Sequence, residues 1–256
     1  MRANLVKQRL AAGETAVGTM VFEFASTGIG RLAANAGADF VIYDMEHSGW
    51  SIDTMRMLMA TTDTPFVRVP ASDYHLIAPV LDVGAMGVMI PMVESGAQAE
   101  AIARAAKYPP VGHRGSGFGL AHDDYTGGDI AEKMRSANDN VLVIAMIETE
   151  AGVAAAEEIM AVEGIDLIWV GQFDLSASLG IPAQFEHPRF VAAMDRIIEC
   201  ARVRSMPLGV LAMTVEEGKR WFERGFRAFC YGMDTIIYRQ ALENGISGMK
   251  SLGGTA

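Results

Sequence analysis

The sequence predicts a single (β/α)8 barrel spanning residues 1–256, and three observations carry that prediction. Short apolar, β-branched-rich runs alternate with longer amphipathic segments along the whole chain. The runs are nearly continuous in their apolar character, as in parallel strands covered on both faces. Eight such units in 256 residues fit a closed barrel better than an open doubly wound sheet, and no linker divides them.

In chain order the predicted strands are "AVGTMVF" near 16, "FVIYD" at 40, "FVRVP" at 66 and "GVMIP" at 87. They continue with "VLVIAMI" at 141, "IDLIWVG" at 165, "PLGVLA" at 207 and "FRAFCY" at 226. Between them, "SIDTMRMLMATT" reads as a helix capped by Ser51. "TEAGVAAAEEIMAVEG" reads as another, with Thr149 as N-cap and Gly164 past its end. The one long irregular stretch, residues 108–128, is rich in glycine and charge, which marks a functional or mobile loop.

In a parallel barrel the chemistry sits at the C-terminal ends of the strands. Unusual polar residues cluster there: Asp44, Glu46 and His47 after the second run, Arg68 within the third, Glu148 after the fifth, and Gly171 and Asp174 after the sixth. An arginine inside a buried strand needs an anion, either a ligand or a neighbouring carboxylate in a structural ion pair. Glu148 and Asp174 lie one strand-helix-strand step apart, so their carboxylates would meet at adjacent strand ends and repel. A hard divalent cation, Mg2+ or Mn2+, would relieve that repulsion. The alternative is that Glu148 caps the helix that follows it and Asp174 caps the short helix "DLSASLG". Asp44 and His47, three apart, could place the carboxylate on one imidazole nitrogen and so orient a general base, or could be a capped surface turn. His75, His113, His122 and His187 read as surface histidines.

Several function classes are disfavoured. A net charge of −10 with no basic block argues against nucleic acid as partner. The longest apolar run is far short of the roughly 18 residues needed to suspect a membrane span. The N-terminus lacks a continuous apolar segment, so no secretory signal is expected. Two isolated cysteines, Cys200 and Cys230, suit a reduced cytoplasm. "GHRGSGFG" at 112–119 follows "KYPP" and not a strand, which makes it a weak phosphate signal. Lys7, Lys107, Lys133, Lys219 and Lys250 fall in helical or terminal segments, so Schiff-base chemistry on an interior lysine is not expected.

The ordered motifs "DMEH", "VRVP", "LDVGAMGVMIPMVES", "PPVGHRG", "IETEAG" and "VEGIDLIWVGQFDLSASLG" resemble the HpcH/HpaI aldolases, the metal-dependent class II pyruvate aldolases, over roughly residues 16–240. The resemblance implies a barrel whose last helix is exchanged between protomers of a homohexamer. It implies that Glu148 and Asp174 hold a divalent metal (Mg2+ or Mn2+, with Co2+ as a further candidate) and that no organic cofactor is used. By the same match His47 and Asp44 form the base dyad, and Arg68 binds the substrate's keto oxygen. Amides around Gly171 and Phe173 hold its carboxylate, and Asp82 reaches into a neighbouring protomer's site. The implied substrates are a 4-hydroxy-2-oxo acid, cleaved to pyruvate or hydroxypyruvate, and an aldehyde. The aldehyde side of the pocket is expected from the 112–126 loop, residues 211–213 and a neighbouring subunit. Met86, Gln172 and Phe173 depart from the commonest family pattern, and Glu46 has no assigned role. Two rival readings are an acyl-CoA thioester lyase of the citrate-lyase branch and a non-catalytic oxo-acid binding protein.

Overall fold

Each apolar run forms a strand because it alternates two sets of apolar side chains, one for each face of a buried sheet. The computed structural model describes residues 2–252. Its strands are β1 (Ala16–Val21), β2 (Phe40–Asp44), β3 (Pro65–Arg68), β4 (Gly87–Ile90), β5 (Leu142–Ile147), β6 (Leu167–Val170), β7 (Leu208–Ala212) and β8 (Ala228–Met233). Every strand runs parallel to the next, and β8 closes on β1.

The two faces separate into two apolar clusters. Phe40 and Ile42 of β2, Phe66 of β3, Leu142, Ile144 and Met146 of β5, and Leu167 and Trp169 of β6 fill the barrel interior. Their neighbours Val41, Tyr43, Val67, Val143, Ile147, Ile168 and Val170 face outward into the layer of helices. The N-terminal helix Leu5–Ala11 plugs one end, contributing Val6 and Leu10 to the interior cluster. Asn4 fastens this plug, its Nδ2 donating to the carbonyls of Met86 and Asn140 at 2.9 Å, just before β4 and β5 begin. The other end, where the strands finish, is left for polar residues.

Ser51 caps the helix Ile52–Met59 as its sequence predicts, accepting from the Thr54 N–H at 3.3 Å. The helix expected from Thr149 to Gly164 is instead two, Glu150–Ala154 and Ala156–Met160. Gly152 presses so closely on the Val93 carbonyl that an added Cβ would lie 2.7 Å from it. The chain then turns at Ala155 to lay Ile159 and Met160 into the outer core.

The stretch 108–128 joins the helix Gly96–Ala106, which descends from β4, to the helix Ile130–Asn140, which leads into β5. It therefore belongs to the rim where strands begin. Arg114 in this stretch bonds Asp82 at 2.5 Å, and the Gly115 N–H donates to the Tyr74 hydroxyl at 2.8 Å. Within one chain, Arg114 and Gly115 of this loop thus pack along the helix Tyr74–Asp82 and not over the strand-end acids.

The C-terminal helix Asp234–Ser251 leaves the barrel, and Asp234 is its buried residue. Beside it Val17 and Tyr231, on β1 and β8, are 41% and 46% exposed, unusual for barrel strands. Among the described residues no helix is long and apolar enough to cross a membrane.

Candidate active site

The inward register of the strands selects the site. Counting by twos from the interior residues leads from Phe40 and Ile42 to Asp44, from Phe66 to Arg68, from Leu142 through Met146 to Glu148, and from Leu167 and Trp169 to Gly171. All four therefore project into the last layer of the barrel, where strand ends meet solvent. Asp44 and Arg68 are direct partners in the β2–β3 register.

Asp44 is fully buried, and its two oxygens are committed. Oδ1 accepts from the main-chain N–H of His47 at 2.7 Å, and Oδ2 accepts from Nε of Arg68. The spacing of three thus builds a turn in which the carboxylate meets the backbone of His47 and not its imidazole. That ring projects to the mouth, 60% exposed, with Nε2 3.7 Å from Oε2 of Glu46. Glu46 also faces Nη1 of Arg68 at 3.1 Å, so the acid without a role in the sequence lies between the guanidinium and the imidazole. Its Oε2 is buried without a hydrogen bond, and burial raises its pKa against the opposing pull of Arg68 and His47.

Arg68, 6% exposed, is held by these two carboxylates on one side and by the face of Phe22, 5.5 Å from Cζ to ring centre, on another. Ion pairs within the chain thus satisfy the arginine.

Glu148 is 2% exposed, and the Met92 N–H donates to its Oε1 at 2.7 Å. Met92 itself adopts a left-handed backbone conformation (φ 54°), which turns that N–H back toward β5. Burial pushes the Glu148 carboxyl up to about 7, the Met92 bond opposes this, and the charges of Asp174 and Glu46 add to the rise. Oε2 lies over the bare Cα of Gly171, where an added Cβ would sit 2.3 Å away. Glycine at 171 is therefore a steric requirement of Glu148. Neither acid is the side-chain cap that the alternative reading required: Thr149 caps the helix after Glu148, accepting from the Gly152 N–H at 3.0 Å. Asp174 sits exposed in the first turn of the helix Gln172–Ser178. Among the described residues no three His, Cys, Asp or Glu side chains form a ready ligand cluster, so a cation here would have two carboxylates as its protein ligands.

Of the amides expected to hold a carboxylate, Gly171 N–H already donates to the Ile147 carbonyl at 3.3 Å. The N–H groups of Phe173 and Asp174 lie in a first helical turn, which has no internal acceptors for them. The Phe173 ring turns outward, half exposed, edge-on to Phe185 at 5.2 Å. Gln172 is buried, its Nε2 donating to the Leu211 carbonyl at 2.7 Å, which ties this helix to β7.

Asp82 does not join this site. It ends the helix Tyr74–Asp82, five residues before β4 begins, and pairs with Arg114 at the opposite rim. His122 is half-buried against Tyr108, not on the surface, and burial lowers its pKa. Lys107 is buried at 3% exposure, with its pKa lowered to about 8 by burial, but its Nζ donates to Asn138 and Val141 carbonyls at the far rim. Sequence reasoning missed Met92, Phe22 and the contacts of Glu46. Phe22 was open to discovery, since it continues the inward count from Met20. Met92 acts through its backbone, which leaves no residue-type signal.

Comparison with known proteins identifies the family and the fold. The family model described as HpcH/HpaI aldolase/citrate lyase matches residues 22–241. A hydroxypyruvate/pyruvate aldolase of Pseudomonas aeruginosa is 33% identical, over 93% of this chain and 90% of its own length. A 2-keto-3-deoxy-L-rhamnonate aldolase of Shigella sonnei is 32% identical, over 97% of this chain and 94% of its own. The crystal structure of an HpcH/HpaI aldolase from Desulfitobacterium hafniense superposes with a TM-score of 0.92 at 30% identity, covering 98% of both chains. With the barrel, the strand-end acids and these likenesses in agreement over most of its length, the chain belongs to the HpcH/HpaI aldolase/citrate lyase family.

Proposed function

We propose that this protein is a metal-dependent class II aldolase that reversibly cleaves 4-hydroxy-2-oxo acids to pyruvate, or hydroxypyruvate, and an aldehyde. The observation that carries the reading is the last inward layer of the barrel, where Glu148, Arg68 and Asp44 converge with Asp174 and His47 at the rim. The activities in the names of the curated relatives accord with it.

The donor set fits a hard divalent cation. Glu148 is ionised only at a cost, because burial and the nearby charge of Asp174 oppose it, and a cation between the two acids removes that cost. One Glu148 oxygen is bound to Met92 while the other lies beside the bare Cα of Gly171. All-oxygen ligation suits Mg2+, Mn2+ or Co2+. Bound there, the cation would supply Lewis-acid stabilisation of the 2-oxo group as it gains negative charge.

The chain's own residues do the rest. Arg68 adds a fixed positive charge at the oxo oxygen, preorganised by Asp44, Glu46 and Phe22. The first-turn amides at Phe173 and Asp174, continuing from Gly171, receive the substrate carboxylate. His47 takes the C4 hydroxyl proton; the C3–C4 bond breaks, the aldehyde leaves, and the electron pair becomes the enolate of the oxo acid. That enolate then gains a proton at C3. Asp44 contributes by fixing the turn that carries His47, and Glu46 faces the imidazole with its Oε2 3.7 Å from Nε2.

The assembly extends the same reading. An apolar groove of about 950 Å3 runs between Val17, Leu32, Tyr231 and Tyr238, and Leu242, Ile246 and Met249 of the C-terminal helix are exposed. Exchange of that helix between protomers would cover both surfaces in a homo-oligomer, a hexamer by resemblance, and Asp82 and the 112–126 loop would act on a neighbour's site. Both cysteines are free and buried, which suits a reducing cytoplasm.

Deuterium exchange into the methyl group of pyruvate, followed by NMR with Mg2+ or Mn2+ and again with EDTA, tests the reading. Metal-dependent exchange is expected. Its absence would remove the aldolase assignment in favour of a thioester lyase or a binding protein.

A further inference from the structure

We infer that Asp234 is a positioning residue for Arg68, acting through Phe22; the inference rests on the oxo-acid reading above. Asp234 stands where β8 ends and the C-terminal helix begins, and it is 8% exposed. Its Oδ1 accepts from the Phe22 N–H at 3.0 Å and the Thr235 N–H at 2.9 Å. Its Oδ2 accepts from the N–H groups of Glu23 and Phe24, both at 2.9 Å. One side chain thus gathers three successive amides of the segment that follows β1. Those donors have left the sheet and would otherwise need water or another acceptor.

The consequence reaches the site because of what the segment carries. Phe22 packs against the interior cluster and presents its ring to the Arg68 guanidinium at 5.5 Å. The next aromatic along, Phe24, meets Tyr238 of the C-terminal helix edge-on at 5.3 Å. The segment is therefore pinned twice to the start of that helix, and Phe22 is fixed as the back wall of the arginine. Asp44 and Glu46 hold Arg68 from the end of β2 and the turn after it, so loss of the Phe22 wall leaves the guanidinium paired but free to tilt.

A double-mutant cycle read by oxalate binding tests this. Oxalate resembles the planar enolate of pyruvate, and titration calorimetry with Mn2+ on the full-length protein reports its affinity without turnover. Phe22→Leu, which keeps an apolar side chain but loses the ring face, is expected to weaken oxalate about fivefold. Asp234→Asn replaces one acceptor oxygen by an NH2 group facing amide donors and should weaken it by a similar factor. In the Phe22→Leu background the further effect of Asp234→Asn should fall below about twofold. Multiplicative losses, or wild-type affinity in Phe22→Leu, would overturn the proposal. If Asp234→Asn does not fold, Asp234→Glu, whose longer side chain shifts the carboxylate, serves in the same cycle. Failure of the wild-type protein to bind oxalate would count against the oxo-acid reading, and amide exchange would still judge the anchor. Exchange at residues 22–24 should rise roughly tenfold in the Asp234 variant, and unchanged exchange would overturn the proposal.

Discussion

Glu148→Gln should stabilise the metal-free protein at pH 8 and do little at pH 5. Burial, assisted by the charges of Asp174 and Glu46, raises the Glu148 carboxyl from 4.5 to about 7 in the folded chain. A carboxyl raised on folding contributes its stability while protonated: the contribution is whole below about 4.5 and is lost as pH rises through about 7. Above that, the folded state holds an ionised group that the unfolded chain solvates better. At roughly 1.4 kcal/mol per pH unit, the cost at pH 8 is about 3 kcal/mol, falling to under about 1 kcal/mol at pH 5. Glutamine never pays it, and its side-chain oxygen can still accept from Met92. For a chain of this size, about 3 kcal/mol corresponds to roughly 6–12 °C in Tm. Differential scanning calorimetry in EDTA at the two pH values reads the difference directly. With saturating Mn2+ at pH 8 the order should reverse, because the wild type gains binding free energy that the variant lacks. Equal Tm differences at both pH values, or a less stable variant at pH 8 in EDTA, would refute the argument and mean that Arg68 already compensates Glu148.

Three further outcomes follow from the same geometry. His47→Ala should lower turnover by roughly 10²–10⁴-fold while leaving oxo-acid binding nearly unchanged, since the ring is exposed at the mouth and its one ion-pair contact is with Glu46 at 3.7 Å; steady-state kinetics beside calorimetry separates the two. Arg68→Ala should destabilise the fold by about 3–5 kcal/mol in urea unfolding as well as abolish activity, because it strands the fully buried Asp44. Ile246→Asp should convert the assembly to smaller species in light scattering if the exposed face of the C-terminal helix is an interface, and an unchanged mass would refute the exchange.

The barrel was legible because its strands are apolar on both faces, so every strand announces itself as a run whatever its neighbours do. What the runs could not reveal was the break at Ala155. Nor could they reveal that Gly152 presses on the Val93 carbonyl, a contact between segments nearly sixty residues apart. Direction was equally hidden for residues 108–128. Composition marks a long loop, but only the descent of the helix Gly96–Ala106 says that it lies at the rim opposite the strand ends.

For the site, period two did most of the selection. Asp44, Arg68, Glu148 and Gly171 all continue the inward register of interior residues, and a residue on that register past the last apolar position has nowhere to go but the barrel mouth. The rule also explains where reading failed. His47 and Glu46 lie beyond the strand, where a turn sets direction: the Asp44 carboxylate takes the His47 N–H, and the exposed imidazole is left facing Glu46. Residue spacing could show that Asp44 and His47 meet, but not which atoms meet. Gly171 makes the complementary point. Its identity answers to Glu148 on the adjacent strand, since a methyl group at 171 would lie 2.3 Å from Oε2. The acid and the glycine are therefore one feature divided between two strands, and a larger residue at 171 would damage the site as surely as losing the carboxylate.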